Sequence, residues 1–434
     1  MPVLKRFHCA QSVTLRTASS LSSTNPPQML RDRFHLPKDK IYLCGNSLGP
    51  QPVAAAEQLA AEMKSWKVRA VEGWWNGESS EGGWLGYHRR VEETLGRIVG
   101  ARAAEVTIAN ALTVNLHLML VSFFRPEGRR RKVIMEAGAF PSDQHAIISQ
   151  LKFHGLDPAT DLIEIGPRQG EFSIQTEDIT KAIHDAGDEL ALVLWSGIHY
   201  YTGQFFELEA IAKAGKSVGA AVGFDLAHAV GNVPLSLHDW GCDFAVWCSY
   251  KYLNGGPGAP GGLFVHERHH NNEDLPRFAG WWGHRESDRF MMRREFRPEP
   301  NASGWQISTA PVLGLAPLLA SLPLFDEAGG MKALRTRSLK LTGRLHELLN
   351  DLPELTIITP MDEAQRGAQI SVYVPGDRPE LEHQLSEAGL IVDYRQDNLL
   401  GGDGGVLRLA PAPLYATMEE VDRAVEILSG ILKS

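Results

Sequence analysis

Lys251 stands between two tyrosines in CSYKYLNGGPGAPGG (248–262), where an apolar run gives way to glycine and proline. A lysine that only needs water has no use for such a setting. One that must form a Schiff base with a phosphate-bearing aldehyde does, provided its amine is desolvated or has a cationic neighbour. Asp225 closes the apolar run VGFD, where a bare carboxylate is costly unless paired. A pyridinium nitrogen is a suitable partner, and an aspartate that keeps it protonated makes pyridoxal 5′-phosphate (PLP) an electron sink. The competing reading is an internal salt bridge, or two unrelated charges.

Other residues near these two in sequence have matching chemistry. His228, three positions after Asp225, can orient the carboxylate or touch a ring; it can equally be a buried structural histidine. Ser249 and Tyr250 carry hydroxyls suited to a phosphate or a ring oxygen. Leu112 and Thr113, in NALTVN, lie between a strand-like and a helix-like run, where helix N-terminal amides bind phosphate. Thr113 can also be an ordinary N-cap. In AFPSD (139–143), Phe140 can stack on a flat ring and Ser142 or Asp143 can hydrogen-bond it; the alternative is a core phenylalanine before a capped helix. Arg408 interrupts the apolar run GVLRLA, and an inward guanidinium there suits a substrate carboxylate. Trp74, Trp75, Trp84, Trp281, Trp282 and Trp305 form two clusters that line a pocket, a core or a dimer interface. The glycine run lacks the Gly-Lys-Ser/Thr ending of a Walker loop, and no HExxH or Cys/His spacing supports a metal site.

These residues need a scaffold that gathers strand ends. Between about residues 100 and 270, short apolar runs alternate with helical ones: VTIAN, KVIMEA, LALVLWSG, AAVGFD and FAVWCS, with helices between them, including one over LAHAVGNV. Runs buried on both faces and separated by helices predict a mostly parallel sheet. Ligands in such sheets lie beyond the carboxyl ends of the strands, where Asp225, Ser196 and Ser249–Lys251 all fall. From about residue 330 a long helix leads to LTIIT, AQISVYV, LIVDYR, GVLRLA and a final helix over 417–433, a smaller α/β domain.

The composition sets limits. With 43% hydrophobic and 22% charged residues in 434, the chain is an ordinary globular protein. A net charge of −9 argues against a nucleic-acid or acidic-membrane surface, and RPEGRRRK (125–132) reads as a solvated turn. The run VLGLAPLLASLPLF (312–325) is too short to span a bilayer. Cys9, Cys44, Cys242 and Cys248 show no disulfide or CxxC pattern, so a reducing, cytoplasmic setting is expected. Residues 1–30 have a faintly targeting-like composition but read as an untidy terminus.

Taken in order, several segments closely resemble the kynureninase family. They are GNSLGPQP (45–52), NALTVNLH (110–117), AFPSDQHAI (139–147), YYTGQFFE (200–207), VGFDLAHAVGNVPLSLHDWGCDFAVWCSYKYLNGGPG (222–258), GWWGH (280–284) and LRLAPAPLY (407–415). The likeness runs from about residue 30 almost to the C-terminus. It implies the fold of type I PLP-dependent transferases, an α/β architecture with a large mostly parallel-sheet domain (51–325) and a smaller C-terminal α/β domain (326–434). Residues 1–50 would associate with the small domain. It implies hydrolytic Cβ–Cγ cleavage of L-kynurenine or 3-hydroxykynurenine to anthranilate or 3-hydroxyanthranilate and L-alanine, in tryptophan catabolism and NAD biosynthesis.

The resemblance also assigns roles. Lys251 would carry the cofactor, Asp225 would pair with its ring nitrogen, and His228 would lie close by. Leu112, Thr113 and Tyr250 would hold the phosphate end; Phe140, Pro141, Ser142 and Asp143 would cover and hydrogen-bond the ring, and Ser196 would touch the cofactor. Tyr250 would also move a proton during hydration of the ketone. Trp281 and Thr309 would come from the second subunit of a homodimer with shared active sites, while Arg408 and Ser47 would contact substrate. Thr309 stands where some relatives carry Asn, and the 74–84 loop lacks a His that some have, which favours L-kynurenine. The rivals are a cysteine desulfurase, an aminotransferase or a non-catalytic protein of the same fold.

Overall fold

Residues 30–77, 83–397 and 401–433 are described by the computed structural model. The expectations for residues 1–29, Cys9 among them, and for the 78–82 part of the tryptophan loop lie outside these residues. Among the described residues no single helix is long and apolar enough to cross a membrane.

A seven-stranded sheet forms the larger part. Its strands are β1 (Val106–Ile108), β2 (Lys132–Glu136), β3 (Leu162–Ile165), β4 (Leu190–Ser196), β5 (Ala221–Asp225), β6 (Phe244–Trp247) and β7 (Gly262–Val265), in the order β1-β7-β6-β5-β4-β2-β3. All run parallel except β7, which is antiparallel to both β1 and β6. Alternate residues of a strand enter opposite cores. Val133, Met135, Leu192 and Leu194 pack with Leu116, Met119, Ile147 and Leu151 of the helices on one face. Ile134, Val193 and Trp195 pack with Ile179, Ile183 and Ile211 on the other. Each such buried side chain stabilises the fold by about 1.5–3 kcal/mol, and this two-sided burial is why the strands read as unbroken apolar runs.

The structure differs from the sequence reading in three places. LIEI (162–165) is an edge strand whose residues are mostly half-buried, so it lacks the apolar signature. The end of the glycine run is β7, where Gly262 lies against the Trp247 indole; a Cβ would fall 2.3 Å from that ring. The expected helix over LAHAVGNV is instead a series of turns in which Leu226 carbonyl accepts from Ala229 and Val230. Gly231, at φ +78°, lies within these turns, which run on as Asn232 and Val233 donate to Ala229 carbonyl, and keeps them from forming a regular helix.

Helix α1 (Ala55–Arg69) lies outside the cleft, whereas α2 (Leu112–Phe123) and α3 (Pro141–Phe153) open onto it. The C-terminal part is built on α4 (Gly330–Asn350), which buries Met331, Leu334, Leu341, Leu345 and Leu349 along one face. It packs on α5 (Met418–Leu432), opened by a capping box in which Thr417 and Glu420 exchange side chain-to-backbone bonds. Beside them lies an antiparallel sheet of β8 (Thr356–Ile357), β9 (Ile370–Val374), β10 (Asp393–Gln396) and β11 (Gly405–Leu409), in the order β8-β9-β11-β10. The N-terminal stretch crosses this part: Ile41–Tyr42 pairs with Leu390–Ile391, and Cys44 bridges Ala410.

Candidate active site

Four neighbouring strands end on one edge. Ser196, at the end of β4, lies opposite Asp225 at the end of β5, and Cys248–Lys251 continue directly from β6. Glu136 closes β2 on the same side, and its Oε2 accepts the Ser196 N–H at 3.2 Å. Together with the openings of α2 and α3 they surround a partly open cleft. Its lining includes Leu112, Thr113, Phe140, Ser142, Asp143, Ser196, Asp225, His228, Tyr250 and Lys251.

The Lys251 segment is pinned from below. Gly49 donates its N–H to Tyr250 carbonyl at 2.8 Å, and a Cβ at Gly49 would fall 2.3 Å from Lys251 carbonyl. That close approach explains the glycine in GNSLG. Asn254, at φ +54°, turns the chain back after the lysine. Ser249 is fully buried and donates to Pro260 carbonyl at 2.5 Å, so its hydroxyl holds the loop and does not face the cleft. The Lys251 Nζ lies 5.9 Å from the Phe140 ring centroid and 6.0 Å from that of Tyr250.

The carboxyl groups here are buried together. Asp225 accepts the Ala227 N–H at 2.7 Å through Oδ1. Burial raises the Asp225 carboxyl and lifts that of Asp143 further still, with repulsion from Asp225 and Glu136 adding to the second. Burial pushes Glu136 up to about 7. His228 moves the other way: burial, then the Lys251 charge, drive it well below the usual histidine value, so its ring is neutral. The Tyr250 phenol is raised, chiefly by burial, and keeps its proton. Asp143 Oδ1, Ser196 Oγ and His228 Nδ1 are buried with no hydrogen-bond partner in the chain.

At the opposite wall, α2 begins at Leu112 after Ala111, which offers no side-chain cap. Its first amides therefore lack the oxygen that Ser or Asp normally supplies there, and they open onto the cleft. Thr113 is thus inside the helix and is not its N-cap. Pro141 occupies the first turn of α3 without lining the cleft; its ring presets the helical φ that aims Ser142 and Asp143 inward.

Arg408, on β11, is 4% exposed and held at three points. Its Nε and Nη2 meet Asp393 Oδ1 at 3.1 and 2.7 Å, and Nη1 donates to Tyr200 carbonyl at 2.8 Å. Tyr200 lines the cleft, its ring edge-on to Phe140 at 5.2 Å, so the arginine reaches the site through a shared neighbour. Gln369 donates to the same carbonyl at 3.0 Å and accepts from Asn46, one residue before the half-buried Ser47. Trp281 and Thr309 do not line this cleft. The Trp281 indole is bonded to Arg289 carbonyl and its ring meets Phe290 and Trp282, with half its surface exposed.

Some groupings were hidden from sequence spacing. Glu136 and Tyr200 are cleft residues to which the sequence reading gave no role; the signal for Glu136 was a charged residue closing KVIMEA, and Tyr200 opens the segment YYTGQFFE. Trp74 meets both Trp84 and Trp282, so the two tryptophan clusters are one, while Trp305 is a core residue bonded to Ser122. Glu105, His238 and His266 also converge, but the Glu105 oxygens are taken by the Arg102 and Glu267 amides and the His238 ring.

Comparison with known proteins gives a consistent picture. Residues 334–428 match the model of the kynureninase C-terminal domain, and residues 76–235 match that of the DegT/DnrJ/EryC1/StrS aminotransferase family. Curated relatives named kynureninase include those of Christiangramia forsetii (48% identical, 96% of this chain and 98% of the relative), Myxococcus xanthus (50%, 95% and 96%) and Xanthomonas campestris pv. campestris (51%, 94% and 96%). Among solved structures, the apo cysteine desulfurase of Thermococcus onnurineus superposes with a TM-score of 0.78 at 18% identity, over 95% of this chain and 100% of the other. The cystine C-S lyase C-DES, in complex with its product cysteine persulfide, has a TM-score of 0.73 at 17% identity, over 90% and 98%. At such identity the two structures speak for the fold alone: that of type I PLP enzymes.

Proposed function

The chain belongs to the kynureninase family, and from that premise we propose that its cleft takes PLP and hydrolyses the Cβ–Cγ bond of L-kynurenine to anthranilate and L-alanine. The observation that carries the reading is the convergence of Lys251 and Asp225 on one cleft. The residues present fit the cofactor. An uncapped helix start faces the cleft, an amine enters it, and three buried polar atoms on its walls lack partners in the chain. When bound, the cofactor supplies an electron sink and an aldehyde that condenses with amines.

The chain's own groups then divide the work. Lys251 Nζ would anchor the cofactor and, as a free amine, would take the substrate α-proton. Asp225 keeps one oxygen on the Ala227 N–H and offers the other to the ring nitrogen, a cation that compensates its burial. Leu112 and Thr113 amides would hold the phosphate with the Tyr250 hydroxyl; Phe140 would cover the ring, Ser142, Asp143 and Ser196 would bond to the cofactor from the walls, and His228 would lie close to the Asp225 pairing. Tyr250, its phenol protonated, gives and regains a proton as water adds to the ketone. Arg408 has five N–H groups and uses three within the chain, leaving two for the substrate carboxylate. Ser47 would also contact the substrate. Thr309 favours L-kynurenine over the 3-hydroxylated substrate.

The working unit in this reading is a homodimer whose partner supplies Trp281 and Thr309. Exposed Trp66, Val71, Trp75, Phe290 and Met292 support it, since so many large apolar side chains call for a cover. We divide the chain at about residues 50 and 325, the N-terminal part joining the small domain, and place it in the cytoplasm. Three buried free thiols support that location. A desulfurase needs an ionised, mobile thiol; among the described residues Cys248 is the one cysteine lining the cleft, and burial raises and fixes it.

Lys251→Ala tests the assignment. We expect a folded protein that gains no visible absorbance with PLP and releases aryl amine from kynurenine at least ~10³-fold more slowly. An unchanged cofactor spectrum refutes it.

A further inference from the structure

Glu136 is a buried acid for which the reaction outlined above has no use. It closes β2, is 2% exposed and lines the cleft with Asp143, Asp225 and Lys251. Among the described residues no arginine, lysine or histidine forms an ion pair with it. A glutamine would accept the Ser196 N–H equally well without the cost of burying an ionisable group. The acid therefore has work that an amide cannot do.

We propose that Glu136 is a positioning residue of the cofactor cleft: its carboxyl holds the end of β4 through Ser196 and adds a negative charge that steadies a cation bound between the cleft walls. The inference rests on the reading that this cleft takes PLP. Ser196 lies opposite Asp225, so a shift of Ser196 moves the strand end that carries the ring's partner. Its N–H bond to Glu136 restrains the strand end from the β2 side, while the Gly197 N–H on Asp225 carbonyl holds it from β5.

The titratable groups that act on Glu136 are Asp225 at the end of β5 and Asp143 on α3, and His228 and Lys251 line the same cleft. His199 bonds to the Ala137 and Gly138 backbone just beyond. Burial, with Asp225 repulsion added, places the Glu136 carboxyl near neutrality, so its charge changes within the range where enzymes work. An ionised Glu136 favours the protonated form of any cation in the cleft. Removing that charge makes the cation lose its proton at lower pH.

The experiment uses PLP-loaded wild type, Glu136→Leu and Glu136→Gln, each checked for native circular dichroism. It reads the PLP dissociation constant and the pH midpoint of the visible band. Glu136→Leu is expected to weaken PLP binding about tenfold, because the Ser196 N–H loses its acceptor. Glu136→Gln should bring the affinity back to within about threefold, since the amide oxygen still accepts. Its spectral midpoint should nevertheless fall by about half a pH unit or more, because the charge is gone. Wild-type affinity in the Leu variant, or an unmoved midpoint in the Gln variant, overturns the proposal. Wild-type protein that takes up no PLP would overturn the cofactor reading itself, and this proposal with it.

Discussion

In the proposed reading Arg408 serves two ends, an internal ion pair and a substrate carboxylate. Its Asp393 partner is itself buried and also meets Arg395 at 2.8 Å, so the fork is pre-aimed before any ligand arrives. Pre-aiming lowers the entropy lost on binding a carboxylate, which a flexible lysine ammonium cannot match. We expect Arg408→Lys to lower kcat/KM by about 10–100-fold, mostly through KM, while the melting temperature changes little because Asp393 keeps a cation. Arg408→Ala should instead cost about 3–5 kcal/mol of stability, as Asp393 is left buried with half its pairing. Steady-state kinetics and thermal melts on the two variants separate these effects. Equal KM values in wild type and the Lys variant would exclude Arg408 as the clamp.

Among the elements, the turn after Cys44 has a part that its length conceals. It connects a strand pairing in the C-terminal part to the loop that carries Lys251, through the Gly49 N–H and the Asn46 amide. Gly49→Ala would drive a Cβ into Lys251 carbonyl and Asn254, both fixed by the backbone around them. The loop must give way, and we expect PLP affinity and kcat to fall together by about tenfold or more, at a stability cost of roughly 1–3 kcal/mol. Retention of full activity would show that this turn does not set the lysine. The unpartnered start of α2 works differently, since its donors are main-chain amides that no side-chain substitution removes.

At the scale of the assembly, the proposed homodimer would account for the exposed apolar side chains and for Trp281 and Thr309 lying outside the lining of their own cleft. If two chains share sites, a Lys251→Ala chain mixed with a Trp281→Ala chain forms hybrids in which one site carries both defects and the other carries none. Random mixing of equal amounts should then restore about a quarter of wild-type activity. Each variant alone should be inactive or strongly impaired, and sedimentation should give about twice 47.8 kDa. No recovery on mixing would mean that each chain completes its own site.

Much of this protein could be read from its residues in order. The parallel strands were legible because burial on both faces leaves unbroken apolar runs, and the ends of those runs mark where a ligand can lie. Asp225 and Lys251 were noticeable since charge is expensive there. Edge strand LIEI and the strand hidden in the glycine run were not legible, because half-buried residues and glycines carry no period. Nor were Glu136 and Tyr200, which become cleft residues through the pairing of β2 with β4 and through the contact between Tyr200 and Arg408. Local order along the chain dictates which residues turn inward. Which inward residues meet depends on strand register and on how two sheets pack, and these are set by the summed burial of distant side chains.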